Sequence, residues 1–205
     1  MSEKIKDGPF QTYYDNGQLQ SEGTFIDGKK DGPWKYYHVN GQLNYEETYD
    51  KDGELDGPYK EYFYNGQLKK ERTYKNGFED GPYKQYYENG QLKSERTYQD
   101  GYRPGKFKFY YENGQLQTEG TYKNGKRDGP VRFYYENGQV SDEGTYKNGV
   151  EDGPYKQYYE NGQLESELTY KDGKIDGLWK LYNVNGKLFK VLTWKDDEII
   201  DSKKY

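Results

Sequence analysis

DGPYKQYYENGQLKSERTYQDGYR, Asp80 to Arg103, is the stretch whose reading decides the fold. Two short polar-aromatic runs flank Asn89-Gly90. Asn-Gly between such runs is the strongest short-range hairpin signal, because a two-residue type I′ turn needs positive φ at both central positions. A two-residue turn here sets Glu88 opposite Gln91, Tyr87 opposite Leu92, Tyr86 opposite Lys93 and Lys84 opposite Glu95. Period-two alternation then sends Tyr83, Tyr87, Leu92 and Tyr98 to one face, read as the buried one, and Lys84, Tyr86, Glu95 and Thr97 to the other.

The stretch recurs with a period of 24 residues, and eight copies cover 7–30, 31–55, 56–79, 80–103, 104–127, 128–151, 152–175 and 176–199, between an N-terminal extension 1–6 and a tail 200–205. Asn-Gly returns in every copy, from Asn16-Gly17 to Asn185-Gly186. The Lys84 and Glu95 pair recurs as Lys35 and Glu46, Lys60 and Glu71, Lys108 and Glu119, Arg132 and Glu143, and Lys156 and Glu167. Opposite charges facing each other across a ladder are favourable, so the pairs support the register independently of the turn. The second copy has one extra residue near Asp50–Gly53, and the fifth replaces Asp-Gly-Pro by Pro104-Gly105-Lys106; both are expected to be loop changes.

Columns at the repeat spacing extend the pattern. Phe10, Trp34, Tyr59, Phe107, Val131, Tyr155 and Trp179 occupy one apolar level, and Leu19, Leu43, Leu68, Leu116, Val140, Leu164 and Leu188 another. One hairpin alone is marginal in water, so these faces call for stacking of successive copies. The expected architecture is all-β: an elongated, solenoid-like stack of eight antiparallel β-hairpins, roughly 75 Å long if each strand adds about 4.8 Å.

Composition agrees. Of 205 residues, 27 are Tyr, 8 Phe and 3 Trp, and alanine is absent. Mean hydropathy is −1.45. Such polarity without aromatics would mean disorder, but tyrosines supply buried area while keeping a wet hydroxyl. Without cysteine there is no disulfide, thiolate nucleophile or cysteine-type zinc site. Met1 to Phe10 has no apolar signal core and no run is long enough to span a membrane, so the expected location is cytoplasmic.

The pattern Gly-Pro-Tyr-Lys-x-Tyr-Tyr-x-Asn-Gly-Gln-Leu-x-x-Glu-x-Thr-Tyr-x-Asn-Gly resembles the MORN repeat, specifically its bacterial variant, and is similar to repeats of YwqK-family antitoxins. The resemblance covers about residues 7–199. It implies a stack of β-hairpins serving as scaffold or binding surface. Membrane-lipid association, also implied for MORN proteins, suits a basic face, whereas this chain has a net charge of −5 and lysines matched to glutamates.

Little material for catalysis exists. His38, the one histidine, stands in a column held elsewhere by Tyr14, Phe63, Tyr87, Tyr111, Tyr135 and Tyr159, as an aromatic packing residue. Serines lack a base, and the carboxylate column from Glu22 to Glu167 has basic partners rather than a cleft. The Asp-Gly loops read as turns, not as a calcium site. No cofactor, metal or nucleic-acid partner is expected, since phosphate binding needs surplus positive charge.

Two candidate surfaces remain. Tyr13, Tyr37, Tyr62, Tyr86, Tyr110, Tyr134, Tyr158 and Tyr182 form a column that is Tyr in every copy yet falls on the charged face. Its structural role would be rings lying over lysine stems or turned inward by a bulge; its functional role would be a contact stripe for a protein. The last copy is more apolar: Leu178, Leu181, Phe189, Val191, Trp194, Ile199 and Ile200 suggest a terminal cap, with Ile199 to Tyr205 folding over the end, or an oligomer interface. The sequence thus points to a non-enzymatic repeat scaffold for binding another protein, antitoxin-like in its specific class, with a monomer favoured over an end-to-end homodimer. The alternatives are a self-assembling structural or surface protein and a carbohydrate-binding module.

Overall fold

The computed structural model describes residues 6–102, 105–195 and 198–205. Two compact units divide the chain, Met1–Tyr102 and Arg103–Tyr205. The first contains β1 (Gly8–Tyr13), β2 (Leu19–Ile26), β3 (Lys29–Tyr37), β4 (Leu43–Tyr49), β5 (Gly57–Tyr62), β6 (Leu68–Lys75), β7 (Phe78–Tyr86) and β8 (Leu92–Tyr98). The second contains β9 (Gly105–Tyr110), β10 (Leu116–Lys123), β11 (Lys126–Arg127), β12 (Gly129–Tyr134), β13 (Val140–Lys147), β14 (Val150–Tyr158), β15 (Leu164–Lys171), β16 (Lys174–Ile175), β17 (Gly177–Tyr182), β18 (Leu188–Lys195) and β19 (Glu198–Lys204). The fold is all-β, and within each unit antiparallel hairpins stack in chain order. Hairpins β1–β2, β3–β4, β5–β6 and β7–β8 build the first; β9–β10, β12–β13, β14–β15 and β17–β18 build the second.

The turn inside each hairpin corrects the expected geometry. Tyr87 N–H donates to Gln91 O (2.8 Å) and Gly90 N–H to Tyr87 O (2.9 Å), which closes a three-residue loop. Gly90 alone of the Asn-Gly pair has positive φ, 86°. This is a type I turn followed by a left-handed glycine, not a type I′ turn. The extra loop residue sets Tyr86 opposite Leu92, and a bulge at Lys93 then restores Gln85 opposite Ser94 and Lys84 opposite Glu95. Loop and bulge cancel, so the charge pairs fall where the shorter turn also puts them. The leucine does not: Leu92 and its column equivalents lie opposite the tyrosine column, not on the buried face.

The two-residue turn occurs instead between hairpins. Asn76 and Gly77 have φ of 49° and 78°, and Lys75 pairs with Phe78 on either side. The extra residue of the second copy makes this turn a three-residue loop, in which Asp50 N–H donates to Glu54 O and Gly53 N–H to Asp50 O. It is a loop change, as expected; Pro104 of the fifth copy lies outside the described residues.

Asn-Gly is therefore retained for hydrogen bonding as much as for φ. Asn137 Oδ1 accepts from Gln139 N (2.9 Å) and its Nδ2 donates to Glu160 O of the next hairpin (3.0 Å). Tyr135 makes the parallel link, its hydroxyl donating to Tyr158 O at 2.6 Å. Asn137→Ala removes both exposed bonds and is expected to cost about 1 kcal/mol. Urea denaturation measures it; a change within about 0.3 kcal/mol would contradict the role.

The buried face carries aromatic rings over small or matched neighbours. Trp34 is 2% exposed, and Phe107 and Val131 are each 1% exposed. A Cβ built on Gly23 would lie 2.2 Å from the Trp34 ring, so only glycine admits the indole there. Phe10, Phe25 and Trp34 form an edge-on cluster, with centroids of Phe25 and Trp34 5.0 Å apart. The position held by Gly23 becomes Glu47, Arg72 and Arg96 in the next copies. Arg96 stacks over Tyr83 at 4.0 Å, and Arg72 over Tyr59 at 4.3 Å while pairing with Glu79.

Candidate interaction surface

Opposite the buried face lies a row of alternating charges, each residue directly across from the next. In the first unit it runs Glu22, Lys35, Glu46, Lys60, Glu71, Lys84, Glu95. In the second it runs Lys108, Glu119, Arg132, Glu143, Lys156, Glu167, Lys180. The sequence pairs each glutamate with one base, whereas stacking places a base on both sides of Glu46, Glu71, Glu119, Glu143 and Glu167. Several ion pairs in fact cross between hairpins: Lys60 to Glu46 and Lys84 to Glu71, each 3.7 Å, and Lys180 to Glu167, 2.7 Å. These groups are partly exposed, so each pair adds a few tenths of a kcal/mol at most.

The tyrosine column stands beside this row. Its hydroxyls donate to the glutamate of the preceding hairpin: Tyr37 to Glu22 (2.6 Å), Tyr62 to Glu46 (2.9 Å), Tyr86 to Glu71 (2.8 Å), Tyr134 to Glu119 (2.7 Å), Tyr158 to Glu143 (2.8 Å) and Tyr182 to Glu167 (2.9 Å). Tyr13, which has no preceding hairpin among the described residues, is 57% exposed and donates to Gln11 instead. Tyr110 lies at the equivalent place on β9, half-buried. Carboxylates thus tether six of the rings, each of them partly buried. Partial burial, then the glutamate bond, pushes Tyr37, Tyr62, Tyr86, Tyr134 and Tyr158 up to about 12. Reciprocally, the tyrosine bond holds Glu22 and Glu143 below the usual carboxylate range, and Lys180 does so for Glu167.

Shallow troughs open beside the row where glycine, threonine and proline leave space. One, about 350 Å³, lies between Pro9, Glu22, Gly23, Thr24, Pro33 and Lys35. Among the described residues of the second unit, troughs of about 410, 190 and 340 Å³ follow in succession; the first two share Pro130 and Arg132, and the last two Pro154 and Lys156. Threonine and proline recur in the sequence as plainly as tyrosine and fall on the charged face, as with Pro82 opposite Thr97, but the space they leave between hairpins is visible only in the structure. His38 packs against Tyr64 with centroids 5.0 Å apart, in keeping with an aromatic packing residue. Among the described residues no three His, Asp or Glu side chains converge as metal ligands, and no helix is long and apolar enough to cross a membrane.

The terminal candidates separate. Leu178 (52% exposed) lies opposite Thr193 and Val191 opposite Lys180 on the charged face, while Leu181 lies opposite Lys190 and Trp194 opposite Ile199 on the other. Phe189 occupies the bulge of its hairpin. The tail runs antiparallel to β18 as a further strand, with Ile199 and Ile200 53% and 61% exposed.

Comparison with known proteins follows this geometry. A profile of the MORN repeat variant matches residues 6–27, 30–51, 55–76, 79–100, 103–124, 127–148 and 151–172. The eighth copy lies beyond these segments yet forms the same hairpin, β17–β18. No curated protein matches the chain. Among solved structures, it is similar to the crystal structure of TcdB2-TccC3 at 13% identity and TM-score 0.22, covering 93% of this chain and 14% of that one. The crystal structure of TcdB2-TccC3-TEV is similar at 15% identity and TM-score 0.22, covering 93% of this chain and 12% of that one. This chain thus spans 12–14% of the length of those it matches.

Proposed function

The chain belongs to the family of MORN repeat variants, whose repeats serve generally as scaffolds for binding proteins or membranes, and from that premise we propose that it is a non-enzymatic scaffold binding another protein through its tyrosine face. One observation carries the reading: successive hairpins present tyrosine rings whose hydroxyls are already tied to glutamate. A half-exposed aromatic held in place loses little conformational freedom when a partner covers it, and tyrosine combines apolar area with a polar tip. The neighbouring troughs and alternating charges offer pockets and a polar rim beside the aromatic anchors. In its narrower form the reading is antitoxin-like, the scaffold covering and neutralising a protein; that form rests on the sequence resemblance.

The test is affinity capture from a lysate of the source organism with wild type and with Tyr110→Ser, Tyr134→Ser, Tyr158→Ser, after circular dichroism shows the variant folded. A protein retained by wild type and lost with the variant supports the reading. Nothing retained, or equal retention by both, overturns it.

A further inference from the structure

We infer that the outer edge of β19 accepts an acidic extended segment of another protein as an added strand. Among the described residues β19 pairs only with β18, and all seven of its residues are exposed. Lys203 falls opposite Val191, which is itself opposite Lys180. The charge row that alternates through the second unit thus ends Lys180, Val191, Lys203, a carboxylate missing where each earlier hairpin supplies one. On the other face Lys190 lies directly opposite Lys204, a like-charge pair that disfavours the ladder. Among the described residues no carboxylate pairs with Lys190, Lys203 or Lys204; the Lys203 ammonium rests over the Tyr205 ring at 4.9 Å.

An open edge offers unpaired backbone donors and acceptors to any strand, and edge lysines select among them. They repel a basic strand and favour one with carboxylates beside Lys203 and Lys204. A second copy of this chain fits poorly: its β1, which among the described residues pairs only with β2, presents Gln11 at the row position, and its nearest carboxylates, Asp7 and Asp15, flank the strand instead of lying in it. The occupant is therefore a different chain whose extended segment is acidic, added by main-chain hydrogen bonding.

The probe is a capped peptide, QLEEELTY, the sequence Gln163–Tyr170 with Ser166→Glu, titrated against the full chain by NMR. Saturable binding is expected, with slowed hydrogen exchange across 198–204. The same peptide with lysine at its three acidic positions should bind at least about tenfold more weakly, and so should the acidic peptide to the K203E/K204E chain. That variant keeps β19 docked, since Lys204→Glu places a carboxylate opposite Lys190, and the peptide charge swap needs no variant at all. Absence of saturable binding up to millimolar peptide overturns the inference, as does equal affinity for both peptides, protection elsewhere than β19, or concentration-dependent association of the chain with itself through this edge.

Discussion

Raising the pH from about 10 to 12 is expected to unfold the chain cooperatively, with tyrosinate absorbance and loss of β-sheet ellipticity rising together. An unfolded tyrosine ionises near 10. In the folded chain partial burial and glutamate acceptors push Tyr37, Tyr62, Tyr86, Tyr134 and Tyr158 up to about 12, and Tyr59 likewise by burial and then Glu61. A phenol whose folded pKa is raised contributes stability that is complete below the unfolded pKa, because both states then hold the proton. Between the two values the unfolded chain has released its proton while the native one retains it, so stability falls as pH rises through that window. Partial exposure weakens each contribution, but the same arrangement recurs in hairpin after hairpin, and each ionisation adds to a net charge already at −5. A gradual absorbance change centred near 10 with unchanged ellipticity would sink the expectation. Glu119→Gln keeps an acceptor for Tyr134 but removes the charge, so that tyrosine should ionise at lower pH than in wild type.

Most of the fold is legible in the sequence because it is periodic: Asn-Gly, the Lys and Glu pair and the apolar level each recur at one spacing, and a repeat that satisfies them once satisfies them throughout. What is not legible is the loop. Asn-Gly suits a type I′ turn or a type I turn with a left-handed glycine, and the two differ by one residue; the bulge at Lys93 hides that difference from the charge pairs and exposes it only in Leu92. The tyrosine column is legible as a column on the charged face, but its acceptor is not, since Tyr134 reaches Glu119 of the preceding hairpin, 15 positions back. Strand β19 escapes too. Glu198 to Lys204 reads as an apolar and then basic tail, and its place beside β18 depends on Trp194 and Val191 having an open edge to offer.

Phe107→Ala should be the most damaging single truncation in the second unit, costing about 3–5 kcal/mol and lowering the urea midpoint by about 1–3 M. The ring is 1% exposed, clusters with Val131 and Tyr146, and lies 4.5 Å, centroid to centroid, from Tyr122. It also covers Gly120, directly opposite on β10, where a Cβ would meet the ring at 2.9 Å. Removing the ring therefore leaves a cavity walled by backbone, which cannot collapse freely. The seventh and eighth hairpins solve the same position differently, with Leu168 opposite Tyr155 and Leu192 opposite Trp179. A leucine at the glycine position should accordingly clash beside Phe107 yet help once the ring is gone. Gly120→Leu alone is expected to destabilise by about 1–3 kcal/mol through overpacking, while Phe107→Ala with Gly120→Leu should be more stable than Phe107→Ala alone, the two changes being strongly non-additive. Additive losses in urea denaturation of the four proteins would mean that the ring and the glycine do not share one space, and that the burial of Phe107 has another origin.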